Sequence, residues 1–257
     1  MKISAYIIAY NEEEKIEQCI KSVSWVDEIL LIDSNSTDRT PEIAKSLGAK
    51  VVNVKFEGFG KLRNSAIANC SNEWILSLDS DERCTNEVKN EILQKINDDS
   101  SKTEIFFIPR KNFFMGKWIK FSGWSPNYRQ PQLFKNGAMT YDEKPVHEGF
   151  ISHSKHDIGY LRNKIWQFPF KNIEEVMHKA NRYSSLGVSK LKDKNKKSSV
   201  TIAFFHGFWA FFKHYILKLG ILDGGPGFVI AIGNFEGTFY RYIKLYEDQN
   251  KESWKPK

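Results

Sequence analysis

The stretch Trp74-Ile-Leu-Ser-Leu-Asp79-Ser-Asp81-Glu82-Arg83 joins an apolar run to a cluster of acids. The run has the length and flanks of a buried β-strand, and open α/β sheets bind ligands beyond the carboxyl ends of their strands. Asp79 and Asp81 are two positions apart, so an extended chain directs both carboxylates to one side. Two carboxylates suit Mg²⁺ or Mn²⁺, which keep coordination positions for phosphate oxygens. The alternative interpretation is a polar turn that caps the next helix.

Strand-like and helix-like segments alternate up to this point. The predicted strands are Ile3 to Ala9, Glu28 to Ile32, Val51 to Val54 and Trp74 to Leu78. We expect Asn11 to cap the first helix, Thr40 to cap a second that starts at Pro41, and a third over Leu62 to Cys70. This series predicts an α/β fold with a mostly parallel, doubly wound sheet flanked by helices. Thr85 is expected to cap the helix after the acids.

The chain length, the cysteine spacing and the N-terminal sequence together predict a folded cytoplasmic protein rather than a secreted one. Its 257 residues can bury a full core. The three cysteines, Cys19, Cys70 and Cys84, show neither paired nor metal-type spacing, so we expect reduced thiols. The N-terminus has no signal-peptide pattern. The net charge of +7 suits nucleic acid or an anionic membrane. Residues 187–220 carry seven lysines against a single acid, Asp193. This cluster adjoins the most aromatic part of the chain, which favours a membrane.

The C-terminal part is predicted to be helical and to meet a membrane surface. The uncharged run Ser198 to Phe212 is shorter than the roughly 20 residues that a spanning helix needs. Phe228 to Tyr246 is apolar but interrupted by charges. Both segments are typical of helices that lie in the interface, with lysines near anionic head groups. The alternative is a helical pair packed on the sheet domain or on a second subunit.

The segment from Asn112 to Gly149 breaks the alternating pattern. It is aromatic and rich in Gly and Pro, which favours an irregular acceptor pocket over a sheet core. The alternative is an ordinary α+β closing layer.

The loops that follow the predicted strands carry side chains that could bind the same ligand. Tyr10-Asn11-Glu12 follows the first strand and Asp33 ends the second. An aromatic ring beside an acid can bind a pyrimidine, because the ring stacks on the base while the carboxylate accepts hydrogen bonds. The helix before the fourth strand starts with Lys61-Leu-Arg63, and a cation together with a divalent metal would then bind a diphosphate.

Taken together, these residues resemble the inverting family-2 glycosyltransferases with the GT-A fold, and most of all the lipopolysaccharide-core β-1,4-glucosyltransferases that add glucose to heptose. The matching pieces are Tyr10-Asn11-Glu12-Glu13, Asp33-Ser-Asn-Ser-Thr-Asp38, Gly58-Phe-Gly60 with Arg63-Asn64, Leu78-Asp79-Ser-Asp81-Glu82, Gly123-Trp124, Leu133-Phe134 with Gly137, Pro145-Val-His147-Glu148 and Leu219-Gly-Ile-Leu-Asp223-Gly. The resemblance implies a GT-A domain over residues 1–170, with a nucleotide-sugar half (1–110) and an acceptor half (111–170), followed by a helical region over 171–257.

The resemblance also implies a role for each site residue. Tyr10, Asn11, Glu12, Asp33, Arg63, Asp79 and Ser80 would bind the UDP-sugar, Asp79 and Asp81 would hold Mg²⁺ or Mn²⁺, Trp124, Arg129 and His147 would bind the acceptor, and Glu148 would be the general base. Asp81 is the favoured direct metal ligand. Tyr10 and Asp33 could instead be plain strand-end residues, and Arg63 a cation on the helix surface. Glu143 or Asp142 could replace Glu148, and His147 could be structural.

One position departs from the family pattern. Where relatives tend to carry Arg before Leu-Phe, this chain has Gln132. If the leaving phosphate or the acceptor needs a cation there, Arg129 must supply it.

The implied activity is transfer of a hexose, glucose by resemblance, from a UDP-sugar to a hydroxyl of a cell-envelope glycan or glycolipid. The enzyme would be cytoplasmic and peripheral on the inner face of the membrane, with no nucleic-acid partner, and its oligomeric state stays open. A nucleotidyltransferase is disfavoured, since Asn11-Glu-Glu-Glu would repel a triphosphate. A sugar transferase acting on a polyprenyl phosphate and a non-enzymatic basic membrane-binding protein remain as alternatives.

Overall fold

The computed structural model describes residues 1–98, 100–125, 128, 130–143, 149–251 and 253–254. The chain divides into two compact units. The first, which we call the sheet unit, comprises Met1–Lys111 and Pro126–Gln167. The second, the helical unit, comprises Asn112–Ser125 and Phe168–Lys257.

The strands occur in the first two-thirds of the chain. They are β1 (Ile3–Ala9), β2 (Glu28–Asp33), β3 (Lys50–Asn53), β4 (Trp74–Asp79), β5 (Glu82–Arg83), β6 (Ile105–Phe107), β7 (Arg110–Phe114), β8 (Lys117–Trp118), β9 (Pro131–Lys135), β10 (Met139–Tyr141), β11 (Phe150–Ser152), β12 (Gly159–Tyr160) and β13 (Ile165–Gln167). Seven of them form the main sheet in the order β12-β6-β9-β4-β1-β2-β3. β1 pairs in parallel with β2 and β4, and β2 with β3.

The centre of this sheet is buried on both faces. Every residue of β1 is buried. Ile7 packs with Leu76 in the core on one face, and Tyr6 and Ile8 pack in the core on the other. A strand covered on both faces reads as a continuous apolar run, which is why the sequence predicts β1, β2 and β4 well.

The prediction of an irregular segment after Asn112 is wrong for β9. This strand lies inside the main sheet and pairs antiparallel with both β4 and β6. Its proline, Pro131, is the first residue of the strand, a position that proline tolerates. Two further antiparallel pairs, β10 with β11 and β5 with β13, add to the sheet unit.

Four helices belong to the sheet unit: α1 (Ile16–Ser22), α2 (Thr40–Ser46), α3 (Phe59–Asn69) and α4 (Asn86–Ile96). The predicted Thr85 cap is confirmed, since its side chain accepts a hydrogen bond from Val88 N. The predicted Asn11 cap is wrong: α1 begins only at Ile16, and Asn11 has a left-handed backbone (φ 54°). Thr40 is the first residue of α2 rather than its cap.

The helical unit contains α5 (Ile173–Asp193), α6 (Val200–Phe212) and α7 (Gly225–Asn250). A π-helical turn (Lys213–Leu217) and a 3₁₀ turn (Gly220–Asp223) connect α6 to α7. Ala203 and Gly207 are the buried residues of α6, and a Cβ at Gly207 would lie 3.1 Å from the Phe235 ring of α7. Small side chains therefore let the two helices approach closely. In the described part of the chain, no helix has the length and apolar character needed to cross a membrane.

Candidate active site

The carboxyl ends of β2, β1 and β4 lie side by side at one edge of the main sheet. Ala9 is in register with Asp33, and Ile8 with Asp79. Tyr10 follows Ala9 directly and is exposed. The structure thus brings together, at the edge where open α/β sheets bind ligands, three of the side chains predicted to bind the nucleotide-sugar.

The loops after β1 and β2 are tied to each other. Asn11 Oδ1 accepts a hydrogen bond from Thr37 N at 2.8 Å, and Asn11 N donates to Ser36 Oγ at 2.9 Å. Asp33 is buried and accepts from Ser36 N at 2.9 Å. Glu12 N donates to Thr40 Oγ1 at 2.8 Å. These bonds fix the backbone around Tyr10 and Asp33 before any ligand binds, which lowers the ordering cost of binding.

Glu12 and Asp38 make local contacts within the loops that follow β1 and β2. The Glu12 carboxylate pairs with Lys15 at 3.3 Å. Asp38 Oδ1 accepts from Thr40 N at 3.0 Å at the start of α2, consistent with its interpretation as a loop or cap residue.

Arg63 is buried against the end of β4, so its interpretation as a helix-surface cation is wrong. Its Nη2 donates to Asp79 Oδ1 at 2.7 Å, and its Nη1 donates to Ser77 Oγ at 3.2 Å. Burial acts to lower the pKa of Arg63, but the interactions with Asp79, Tyr6 and Tyr141 together outweigh burial, and the pKa is raised. The guanidinium therefore stays charged and orients one carboxylate of the predicted metal pair.

The turn after β4 is held from several sides. Gln167 Nε2 lies 3.3 Å from both carboxylate oxygens of Asp81. Ser80 is buried, and its carbonyl oxygen accepts from Arg83 Nη1 at 2.8 Å. The Asp-x-Asp segment is thus a preformed turn rather than a loose loop.

The third acid of the turn, Glu82, has a role that the sequence did not reveal. It is completely buried, forms an ion pair with Arg110, and accepts hydrogen bonds from Gln132 Nε2 at 2.8 Å and Asp79 N at 3.0 Å. Burial raises the pKa of Glu82, Arg110 opposes the shift, and Asp79 and Asp81 add to it. Gln132 is therefore a buried partner of this turn, and Arg110 is the cation beside it.

Helix α3 also holds the segment that precedes the predicted base. Asn64 Nδ2 donates to Tyr141 O at 2.9 Å, and Tyr141 N donates to Asn64 Oδ1 at 2.8 Å. A Cβ at Gly60 would overlap the carbonyl oxygen of Asp142. Asp142 N in turn donates to Gly149 O at 3.0 Å.

Three predicted site residues, Arg129, His147 and Glu148, lie outside the described residues. Their roles stay predictions, as do the alternatives Glu143 and Asp142 for the base.

Trp124, the remaining predicted acceptor residue, belongs to the helical unit. It packs with Phe114 and Phe170, at ring-centroid distances of 5.9 Å and 6.2 Å, beside a groove of about 230 Å³ that Lys179 also lines. The aromatic rings that line such a groove can stack on a sugar ring.

The loop before Trp124 is anchored by Asp223, another residue to which the sequence assigned no role. This carboxylate is buried, and it accepts hydrogen bonds from Lys120 N at 3.0 Å, Phe121 N at 3.1 Å and Ser122 Oγ at 2.8 Å.

The metal hypothesis depends on the donor set at the end of β4. Within the described ranges, no three His, Cys, Asp or Glu side chains form a group that could hold a metal ion. Asp79 and Asp81 supply two carboxylates. Mg²⁺ is commonly bound through one or two carboxylates, with substrate phosphates and water completing its coordination. These residues therefore fit an ion that the substrate helps to hold.

Comparison with known proteins identifies the family. Residues 4–154 match the sequence model of glycosyl transferase family 2. An uncharacterized glycosyltransferase of Rickettsia bellii (strain RML369-C) is 30% identical over 264 residues, covering 96% of this chain and 86% of that protein. The lipopolysaccharide core biosynthesis glycosyltransferase LpsC of Rhizobium meliloti (strain 1021) is 25% identical, covering 96% and 93%. The crystal structure of S. aureus TarS 1–349 shares the fold, with a TM-score of 0.50 at 16% identity, covering 100% of this chain and 93% of that one.

The chain belongs to glycosyl transferase family 2. Its fold is of the GT-A type, a mostly parallel sheet flanked by helices with a C-terminal helical part, as the sequence predicts.

Proposed function

We propose that this glycosyltransferase moves a hexose, with glucose as the first candidate, from a UDP-sugar to a hydroxyl of a cell-envelope glycan or glycolipid such as the lipopolysaccharide inner core. The observation that carries the donor assignment is the convergence of Tyr10, Asp33 and Asp79 at one sheet edge. The acceptor class is supported by the similarity to LpsC, a lipopolysaccharide core biosynthesis glycosyltransferase.

The residues at the sheet edge suggest how the donor binds. The exposed Tyr10 ring would stack on uracil, and Asp33, held by Ser36, would accept hydrogen bonds from the base or ribose. Asp79 and Asp81 would hold Mg²⁺ or Mn²⁺, which stabilises the charge of departing UDP when it is bound. Arg63 fixes the orientation of the Asp79 carboxylate through its 2.7 Å contact.

The transfer step requires a base on the opposite side of the sugar. Glu148 would remove the proton from the acceptor hydroxyl, a contribution of roughly 10²–10⁴-fold. The hydroxyl oxygen would then attack the anomeric carbon from the side opposite to phosphate, so an α-linked donor gives a β-linkage. Asn64 and Gly60 support this role indirectly, because they position the backbone at Tyr141 and Asp142.

We also place the enzyme on the inner face of the cytoplasmic membrane as a peripheral protein. Exposed aromatic and aliphatic residues of α6, among them Phe205 and Trp209, support this location, because large exposed apolar patches mark interaction surfaces.

The test is UDP release from a panel of UDP-sugars, with and without Mn²⁺ or Mg²⁺. UDP-glucose should be turned over, and only with a divalent ion. Asp81→Asn should lower the rate at least about 100-fold, while the same change at the exposed Asp157 should not. Full activity of Asp81→Asn would refute the metal site.

A second variant separates the two acceptor classes. Glu148→Gln should abolish transfer to a hydroxyl, whereas an enzyme acting on a polyprenyl phosphate would keep its rate, because its acceptor is already an anion. Transfer to a polyprenyl phosphate by both the original protein and Glu148→Gln would overturn the proposed acceptor.

A further inference from the structure

The turn between α6 and α7 exposes a cluster of aliphatic side chains. Leu217, Leu219, Ile221 and Leu222, which we call the apolar tip, are each about half exposed, from 48% at Leu219 to 58% at Leu222. Isolated exposed leucines are ordinary, but a contiguous patch marks an interaction surface. Leu219 also has a left-handed backbone (φ 54°), which is unusual for a bulky residue.

Lysines surround the apolar tip. Lys117 Nζ donates to the carbonyl oxygen of Asp223 at 2.8 Å, and Lys120 Nζ lies 4.6 Å from the centre of the Trp118 ring. Lys213 and Lys218 are exposed on the turn itself.

Acids are scarce in the two segments that carry the apolar tip and these lysines. Within 112–125 and 198–235, all of which the structure describes, the only acid in the sequence is Asp223. That carboxylate is buried and occupied by the hydrogen bonds of the 120–122 loop. The surface therefore combines exposed aliphatic groups with exposed lysines.

We infer that the apolar tip inserts into the head-group region of an anionic phospholipid bilayer, with Lys117, Lys120, Lys213 and Lys218 binding lipid phosphates. Aliphatic groups enter the lipid while lysines extend to the interface, and each cation near an anionic surface strengthens binding. The inference rests on the peripheral location proposed above and names the surface that produces it. A second copy of the chain fits less well, because a two-fold interface would bring both sets of lysines together.

The first experiment measures sedimentation of the full-length protein with phosphatidylcholine vesicles, with or without phosphatidylglycerol. The triple variant Leu217→Ser/Ile221→Ser/Leu222→Ser should bind anionic vesicles at least about 100-fold more weakly, since each aliphatic group contributes roughly a fivefold factor. Ile151→Ser is the matched control, because Ile151 is 53% exposed and Ile221 51%. Equal binding by the triple variant and the control would overturn the inference.

Lysine variants test the electrostatic part. Lys213→Gln/Lys218→Gln should weaken binding about 25-fold to anionic vesicles, at roughly fivefold per lysine. Lys45→Gln/Lys155→Gln, at exposed positions of the sheet unit, should bind normally. Binding that does not depend on the anionic lipid or on the salt concentration would contradict the assignment of these lysines.

A fluorescent probe reports insertion directly. All three native cysteines are buried, so Ile221→Cys offers one accessible thiol for an environment-sensitive dye. Its emission should shift to the blue on anionic vesicles, and the same dye on Ile151→Cys should not shift. An unshifted spectrum would contradict insertion. A dimer in solution that is lost in the triple variant would instead assign the tip to protein contact. UDP release by the triple variant should persist, which separates failure of membrane binding from failure of the catalytic proposal.

Discussion

Glu82→Gln should destabilise the sheet unit strongly, because it leaves a buried cation without its counter-ion. Both partners of the Glu82–Arg110 pair are almost fully buried, with side-chain exposures of 0% and 5%. Removing one partner of a buried pair costs about 3–5 kcal/mol. For a unit of this size, that cost corresponds to a fall in the melting temperature of about 6–20 °C.

The double variant Glu82→Gln/Arg110→Met distinguishes the ion pair from simple loss of packing. It removes both charges, and replacing a whole buried pair is often nearly neutral. We therefore expect the double variant to be more stable than Glu82→Gln alone. Glu73→Gln is the control, because Glu73 also pairs with a cation, Lys135 at 3.3 Å, but the Lys135 and Glu73 side chains are 42% and 44% exposed. It should change the stability by less than about 1 kcal/mol.

Urea unfolding followed by circular dichroism gives the free energies, and thermal scans give the melting temperatures. Strictly additive costs in the double variant, or a cost for Glu82→Gln no larger than that of Glu73→Gln, would refute the reasoning.

Three further changes test other contacts. Arg63→Lys keeps the charge but loses the paired bonds to Asp79 and Ser77, so UDP release should fall about 10–100-fold and need more Mn²⁺; an unchanged Mn²⁺ requirement would contradict this. Tyr10→Ala should raise the KM for the UDP-sugar by about 10-fold through lost stacking, with little change in stability, whereas Tyr10→Phe should behave normally. Asp223→Ala should cost about 2–3 kcal/mol in urea unfolding, because three donors lose their acceptor; an unshifted midpoint would count against it.

The strands that the sequence predicts well are those with the simplest environment. β1, β2 and β4 are buried and parallel, so burial alone dictates their apolar runs. Their polar ends then predict the location of Tyr10, Asp33 and Asp79, because the carboxyl ends of parallel strands share one edge.

The features that the sequence could not predict are contacts between residues far apart along the chain. Asn11 looks like a helix cap by local rules, but its side chain bonds to Thr37, 26 positions away. Glu82 binds Arg110 and Gln132, at separations of 28 and 50. Local patterning contains no information about such pairs, and a short antiparallel strand such as β9 leaves little periodicity to detect.

Helix α3 places a limit on how this enzyme can be redesigned. Arg63 holds Asp79 at the proposed donor site, while its neighbour Asn64 and the close approach at Gly60 fix the backbone at Tyr141 and Asp142. An engineer who exchanges residues 142–149 to change the proposed acceptor specificity must keep these anchors, or the exchange will also disturb the proposed nucleotide site. Loop transplants between relatives should therefore carry α3 along with them.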